Sequence, residues 1–159
     1  MIIFIRGLPG SGKTTISNRV GEKLRWEVVH VDQFKKEIMK QNPEADFIKE
    51  VVPRSYQKTL EKLQEYKEKN AVVEEVFRNA GFVQSVIDFC DHNSIKYQWY
   101  KIIRDEELLL NIYDERTRKV KMTKELHDLF KQQMNDIKIE GEIEILNTSV
   151  GECVERIKF

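Results

Sequence analysis

The stretch Gly7-Leu8-Pro9-Gly10-Ser11-Gly12-Lys13-Thr14 decides the fold. Its spacing is G-x-x-x-x-G-K-[ST], a loop whose glycines let the backbone turn tightly and bring successive N–H groups against a phosphate chain. Just before it, Ile2-Ile3-Phe4-Ile5 is a short continuous apolar run, the pattern of a strand covered on both faces. Just after it, Ile16, Val20 and Leu24 recur at helical spacing. Strand, glycine loop and helix in that order aim backbone amides and the positive end of a helix at one point, which favours a polyphosphate. Gly7, Pro9, Gly10, Ser11, Gly12, Lys13, Thr14 and Thr15 are therefore the expected nucleotide-binding residues. Lys13 is expected to reach the outer phosphates, and the Thr14 hydroxyl to hold Mg²⁺.

Working outward, apolar runs at 27–32, 71–77, 97–103 and 142–146 alternate with helical patterns at 12–24, 33–40, 44–69, 82–92, 105–119, 123–135 and 150–157. Pro53 marks a break or a helix start, and Thr123 a helix opening. This alternation predicts an α/β fold of one domain, 1–159, with a parallel sheet covered by helices on both sides. Ligand-handling residues then belong at the carboxyl ends of the strands, where Gly7, Asp32, Glu74 and Arg104 all fall.

A chain of 159 residues with 34% charged residues and no net charge carries no global electrostatic pull toward nucleic acid or an anionic membrane. No apolar stretch has the length of a bilayer span, and the first strand starts at Met1, so a cytoplasmic protein without a signal peptide is expected. Cys90 and Cys153 are too few and too far apart for a disulfide framework or a zinc cage.

Asp32 has two readings. As a carboxylate near the γ-phosphate it would take a proton from an attacking hydroxyl or orient Mg²⁺ through water; as a structural residue it would cap the helix that follows. Glu74 and Glu75 close the third strand, where period-two alternation lets only one face the site. Glu74 is the choice, behind the metal's water shell, and Glu75 is expected to point into solvent or the sheet face. Arg78 either lies over the same pocket or solvates the loop. The run 114–121 reads as a solvated helix end or as a lid, about 114–124, whose Arg116 and Arg118 close on the phosphates, with Arg104 a third candidate. Tyr56 reads as packing, and His30 and His127 receive no role.

These residues resemble the small P-loop kinases related to zeta toxins, chloramphenicol phosphotransferase and the 5′-kinase domain of polynucleotide kinases, within the adenylate-kinase-like group. The resemblance rests on 7–15, on Val31-Asp32-Gln33-Phe34-Lys35, on Val72-Val73-Glu74, on Arg116-Thr117-Arg118, and on Ile145-Leu146-Asn147-Thr148-Ser149. It implies a three-layer α/β/α fold with a five-stranded sheet of order 2-3-1-4-5 and a helical lid. It further implies ATP and Mg²⁺, Asp32 as general base, and catalytic Lys13, Arg116 and Arg118. Glu74 and Arg78 fall on acidic and basic positions of the group, and Asn147 and Thr148 where the chain passes the adenine ring. Lys35 stands where polynucleotide kinases commonly carry an arginine, so it is a substrate candidate and a less exacting phosphate clamp. The segment 33–69 is then the acceptor-binding part.

The expected function is transfer of the ATP γ-phosphoryl group to a hydroxyl of a small molecule such as a sugar, nucleoside or antibiotic. A nucleic-acid 5′-hydroxyl is the rival acceptor, and a non-catalytic nucleotide-binding module the rival class. No guanine-reading Asn-Lys-x-Asp element is present, and no apolar strand ends in Asp-Glu as a motor ATPase would require.

Overall fold

Strand β1 (Ile2–Gly7) runs through the centre of the sheet, and each of its six residues is buried. It pairs with β3 (Ala71–Glu74) on one side and β4 (Tyr97–Ile103) on the other, while β2 (Glu27–His30) and β5 (Ile143–Leu146) form the edges. Every pairing is parallel and the order is β2-β3-β1-β4-β5, as the resemblance implies. The computed structural model of the protein describes residues 1–115 and 122–158.

Alternation along β1 divides the core. Ile3 and Ile5 face Ile16 and Val20 of α1 (Lys13–Leu24) and Cys153 and Val154 of α7 (Val150–Arg156). Ile2 and Phe4 face the other layer, which holds Leu63 at the end of α3 (Val52–Leu63) and Phe82, Val83 and Val86 of α4 (Ala80–His92). On that side the Phe4 ring stacks on Trp99 at 4.4 Å and meets Phe77 edge-on at 5.9 Å. Burying side chains of this size contributes roughly 1.5–3 kcal/mol each. A third, smaller cluster joins Leu8 to Leu109 and Tyr113 of α5 (Glu106–Glu115) and Met134 of α6 (Lys124–Asp136).

Arg6 extends the Phe4 face and is fully buried. Its guanidinium donates to the Met134 and Ile137 carbonyls at 3.1 and 3.2 Å and pairs with Glu142. A cation on carbonyls at a helix C-terminus is favourable, and here it docks α6 onto the sheet.

Local chemistry explains most element boundaries. Asn79 accepts from Phe82 N at 2.8 Å, Thr123 from Leu126 N and Ser149 from Glu152 N, each capping a helix start. Pro53 sits in the first turn of α3, where its missing N–H costs nothing, after a π-helical turn at Phe47–Val51. Two strands stop earlier than expected. β2 ends at His30, and Val31 already opens α2 (Val31–Gln41), so Asp32 lies in a first helical turn, not at a strand end. β3 ends at Glu74, because only Ala71–Glu74 find ladder partners on both sides. The chain then turns away, with Phe77 at φ 53°.

Candidate active site

The loop after β1 is shaped by Gly10 and Gly12, whose φ values of 84° and 91° are open to glycine at little cost. Gly12 precedes α1 with no side-chain cap, which leaves the first amides of the helix directed outward. Three side chains hold the loop's carbonyls from beneath. Tyr113 donates to Pro9 O at 2.7 Å, Arg104 to Gly10 O at 3.3 Å, and Asn147 to Ser11 O at 2.7 Å. With the carbonyls tied back, the amides are left for an anion. A cavity of about 120 Å³ results, lined by Pro9, Gly10, Gly12, Lys13, Thr14, Thr15, Asp32 and Val76.

Two acidic centres flank this cradle. Glu74 is buried, 3.6 Å from Lys13 Nζ and 2.8 Å from His30 Nδ1; His30 Nε2 in turn lies 2.8 Å from Asn18 Oδ1. Burial alone would raise the Glu74 carboxyl, but the His30 hydrogen bond and the Lys13 charge outweigh it and hold the group below its ordinary range. The second centre is Lys35, whose ammonium donates to Asp32 Oδ1 and to both oxygens of Glu75, all at 2.9 Å. Burial works to lower the Lys35 value, yet the charges of Glu75 and Asp32 raise it well above the usual lysine range. Asp32, 61% exposed at the cavity mouth, is lowered: desolvation opposes this, and Lys35 and Lys13 prevail. Glu75 is enclosed, and desolvation pushes its carboxyl up despite Lys35.

Several expectations change here. Glu75, expected to point away, is buried against Lys35, because the two-residue period ends with the strand at Glu74 and imposes nothing beyond it. Lys35 spends its three donors on carboxylates, so it positions Asp32 and has none left over for a substrate phosphate. Glu74 does not line the cradle; it is the counter-ion of Lys13. His30, given no role, orients Glu74, a contact created by the β2–β3 register that sets His30 opposite Glu74. His127, also given none, is buried against Tyr113, its Nδ1 3.2 Å from the phenol oxygen.

Arg78 does not reach the phosphate cradle. Its guanidinium lies 4.0 Å over the Phe130 ring and donates to Gln133 at 2.7 Å. It lines a separate cavity of about 360 Å³ with Ile48, Val52, Pro53, Tyr56, Asn79 and Gln133. Tyr56 stacks on Phe82 at 3.9 Å, which agrees with a packing role, and burial followed by the Glu75 charge raises its phenol. Asn147 acts as a strut under the loop, and the Thr148 hydroxyl donates to Glu152. Arg116 and Arg118, the lid candidates, lie outside the described residues.

Two larger cavities, about 740 and 590 Å³, lie away from Lys13 and Asp32. The first runs beside Thr15 between α1 and α7 and is lined by Arg19, Val150, Gly151 and Val154 among others. Size does not locate chemistry here; the small cradle is where amides, an ammonium, a hydroxyl and a carboxylate converge. That donor set suits a magnesium–nucleotide complex.

Comparison with known proteins agrees with this architecture. A crystallised gluconokinase from Sinorhizobium meliloti superposes with a TM-score of 0.67 at 14% identity, covering 96% of this chain and 86% of its own. Shikimate kinase from Aquifex aeolicus gives 0.65 at 16% identity, over 98% and 92% of the two chains. The tunicamycin resistance protein of Deinococcus radiodurans gives 0.65 at 15%, over 98% and 91%. At such identities the likeness is one of fold. No curated protein sequence matches the chain. A family model described as an AAA domain matches residues 2–134, most of the length including the loop, both acidic centres and α5, and the chain belongs to that family of P-loop proteins.

Proposed function

We propose that the protein is a kinase that transfers the γ-phosphoryl group of ATP to a hydroxyl of a small molecule. The observation carrying this reading is that the Asp32 carboxylate lines the same cavity as Lys13 and the loop glycines. In the transfer, the acceptor oxygen forms a bond to the γ-phosphorus, the bond to the β–γ bridging oxygen breaks, and the acceptor's proton passes to Asp32. Mg²⁺, held by Thr14 and by Asp32 through water, would neutralise charge on the phosphates. Lys13, released from Glu74, meets the outer phosphates. Lys35 holds Asp32 ionised and oriented, which keeps it able to accept a proton at neutral pH. A carboxylate with a lowered pKa is a weak base, but in a loose transition state it needs the proton only late.

The acceptor is assigned to the 360 Å³ cavity, whose apolar wall of Ile48, Val52 and Pro53 faces the polar ends of Arg78, Asn79 and Gln133. This fits a small, partly apolar alcohol, and an acidic group on it would meet Arg78. That gluconokinase and shikimate kinase share the fold supports a small acceptor. The nucleoside end of ATP is assigned to the groove beside Thr15, Val150 and Gly151. The lid assignment of Arg116 and Arg118 belongs to this proposal.

The test is transfer from labelled ATP and Mg²⁺ to a panel of sugars, hydroxy acids, nucleosides, antibiotics and 5′-hydroxyl oligonucleotides. For the acceptor so found, Asp32→Asn should lower kcat by about 10²–10⁴-fold, the scale of general-base catalysis, while ATP binding stays near the parent value. Unchanged transfer by Asp32→Asn removes the catalytic assignment.

A further inference from the structure

The largest unused chemistry lies under the loop, where α5 meets α6. His127 is buried to about 1% exposure, and its Nε2 has no hydrogen-bond partner among the described residues. The other ring nitrogen fixes the tautomer. Tyr113 has one phenolic proton, and it goes to Pro9 O at 2.7 Å, so the phenol oxygen accepts from His127 Nδ1–H at 3.2 Å. In the neutral ring Nε2 is therefore a bare lone pair, and a carboxylate oxygen, Glu106 Oε1, is 4.0 Å away. Two lone-pair groups facing each other repel unless a proton or a metal cation lies between them. The exposed Asp128 adds a third donor, and one ligand atom from each of Glu106, His127 and Asp128 falls within 4.8 Å of the others.

We propose that Glu106, His127 and Asp128 form a binding site for a divalent transition-metal ion of the zinc class. Metal bonds of about 2.0–2.2 Å to nitrogen and oxygen nearly span the gap between His127 and Glu106, so a small closure of α5 on α6 completes them. One imidazole with two carboxylates suits zinc better than magnesium or calcium, which favour all-oxygen shells. Tyr113 supplies the outer hydrogen bond that metal-bound histidines commonly have. His127 and Glu106 both line the 590 Å³ cavity, which gives the ion and its water a way in. Lys131 competes for the site by pairing with Glu106 Oε2, but it is 44% exposed and free to swing away. Because Tyr113 also holds the Pro9 carbonyl, the ion would brace the loop from beneath and clasp the helices on either side of 116–121.

The test is Zn²⁺ titration of the full chain against a chromophoric chelator, without nucleotide and in excess Mg²⁺. One site of micromolar affinity or tighter is expected, together with a raised thermal midpoint. Glu106→Gln and Asp128→Asn, both at exposed positions, should each weaken it by about tenfold or more. Lys131→Gln should tighten it several-fold, an effect that a merely structural role for Glu106 would not produce. His127→Asn should abolish it, with circular dichroism confirming the fold. Zinc affinity equal in the parent, Glu106→Gln and Asp128→Asn chains overturns the proposal, as does displacement of the zinc by millimolar Mg²⁺.

Discussion

Lys35 shows how one side chain can serve both stability and chemistry. It sits between an exposed carboxylate at the cavity mouth, Asp32, and an enclosed one, Glu75. Removing the ammonium leaves Glu75 as an unpaired buried charge, a defect that costs about 3–5 kcal/mol. Lys35→Met should therefore lower the urea midpoint strongly, and Lys35→Met combined with Glu75→Gln should recover most of the loss. A single variant as stable as the parent would mean that Glu75 takes up a proton, or finds water, at little cost. The pair also shows the limit of reading by period. Glu74 meets Lys13 and Glu75 meets Lys35, a convergence that period-two alternation does not allow within one strand, and the chain leaves the strand between them.

At the scale of elements, the loop after β1 depends on its supports as much as on its own glycines. A Cβ on Gly12 would strike the Asn147 amide, and the φ of 91° is itself unfavourable for other residues. Gly12→Ala must therefore displace Asn147 or distort the loop, and it should weaken ATP binding by about tenfold or more, each factor of ten being about 1.4 kcal/mol. Gly81→Ala in α4 is the control: the nearest atom to its Cβ is Asn79 Oδ1 at 3.4 Å, and binding should not change. Calorimetric titration of ATP into both variants decides the matter, and an unaltered affinity in Gly12→Ala would show that the loop adapts freely. The glycine pattern alone announces the loop. That Asn147, from the far end of the chain, braces it depends on β5 lying beside β4.

For the whole molecule, the buried carboxylates set how stability responds to acid. Glu74 is held below its ordinary value of 4.5, so the folded form releases its proton more readily than the unfolded chain. Its stabilising contribution is complete above about pH 4.5 and is lost as pH falls through the lower folded value. Asp32 acts in the same sense, weakened by its exposure. Glu75 acts in the opposite sense: its raised folded value makes its contribution erode as pH climbs past 4.5. Glu74→Gln should flatten the acid limb of a stability–pH profile measured by denaturant unfolding. A limb of unchanged steepness in that variant would assign acid sensitivity to other groups.

From the chain's own pattern came the strand–loop–helix unit with Lys13 and Thr14, the alternation of strands and helices, and the helix cap at Thr123. These are local matters: backbone conformation, hydrophobic period and the short reach between consecutive elements leave little freedom. Tertiary structure alone decided the rest. The burial of Glu75, the pairing of His30 with Glu74, the bracing of the loop by Asn147, Arg104 and Tyr113, and the departure of Arg78 to a second cavity all join residues distant in sequence. Such contacts depend on sheet register and on which helix covers which face, and a charged residue in sequence carries no sign of the partner it will meet.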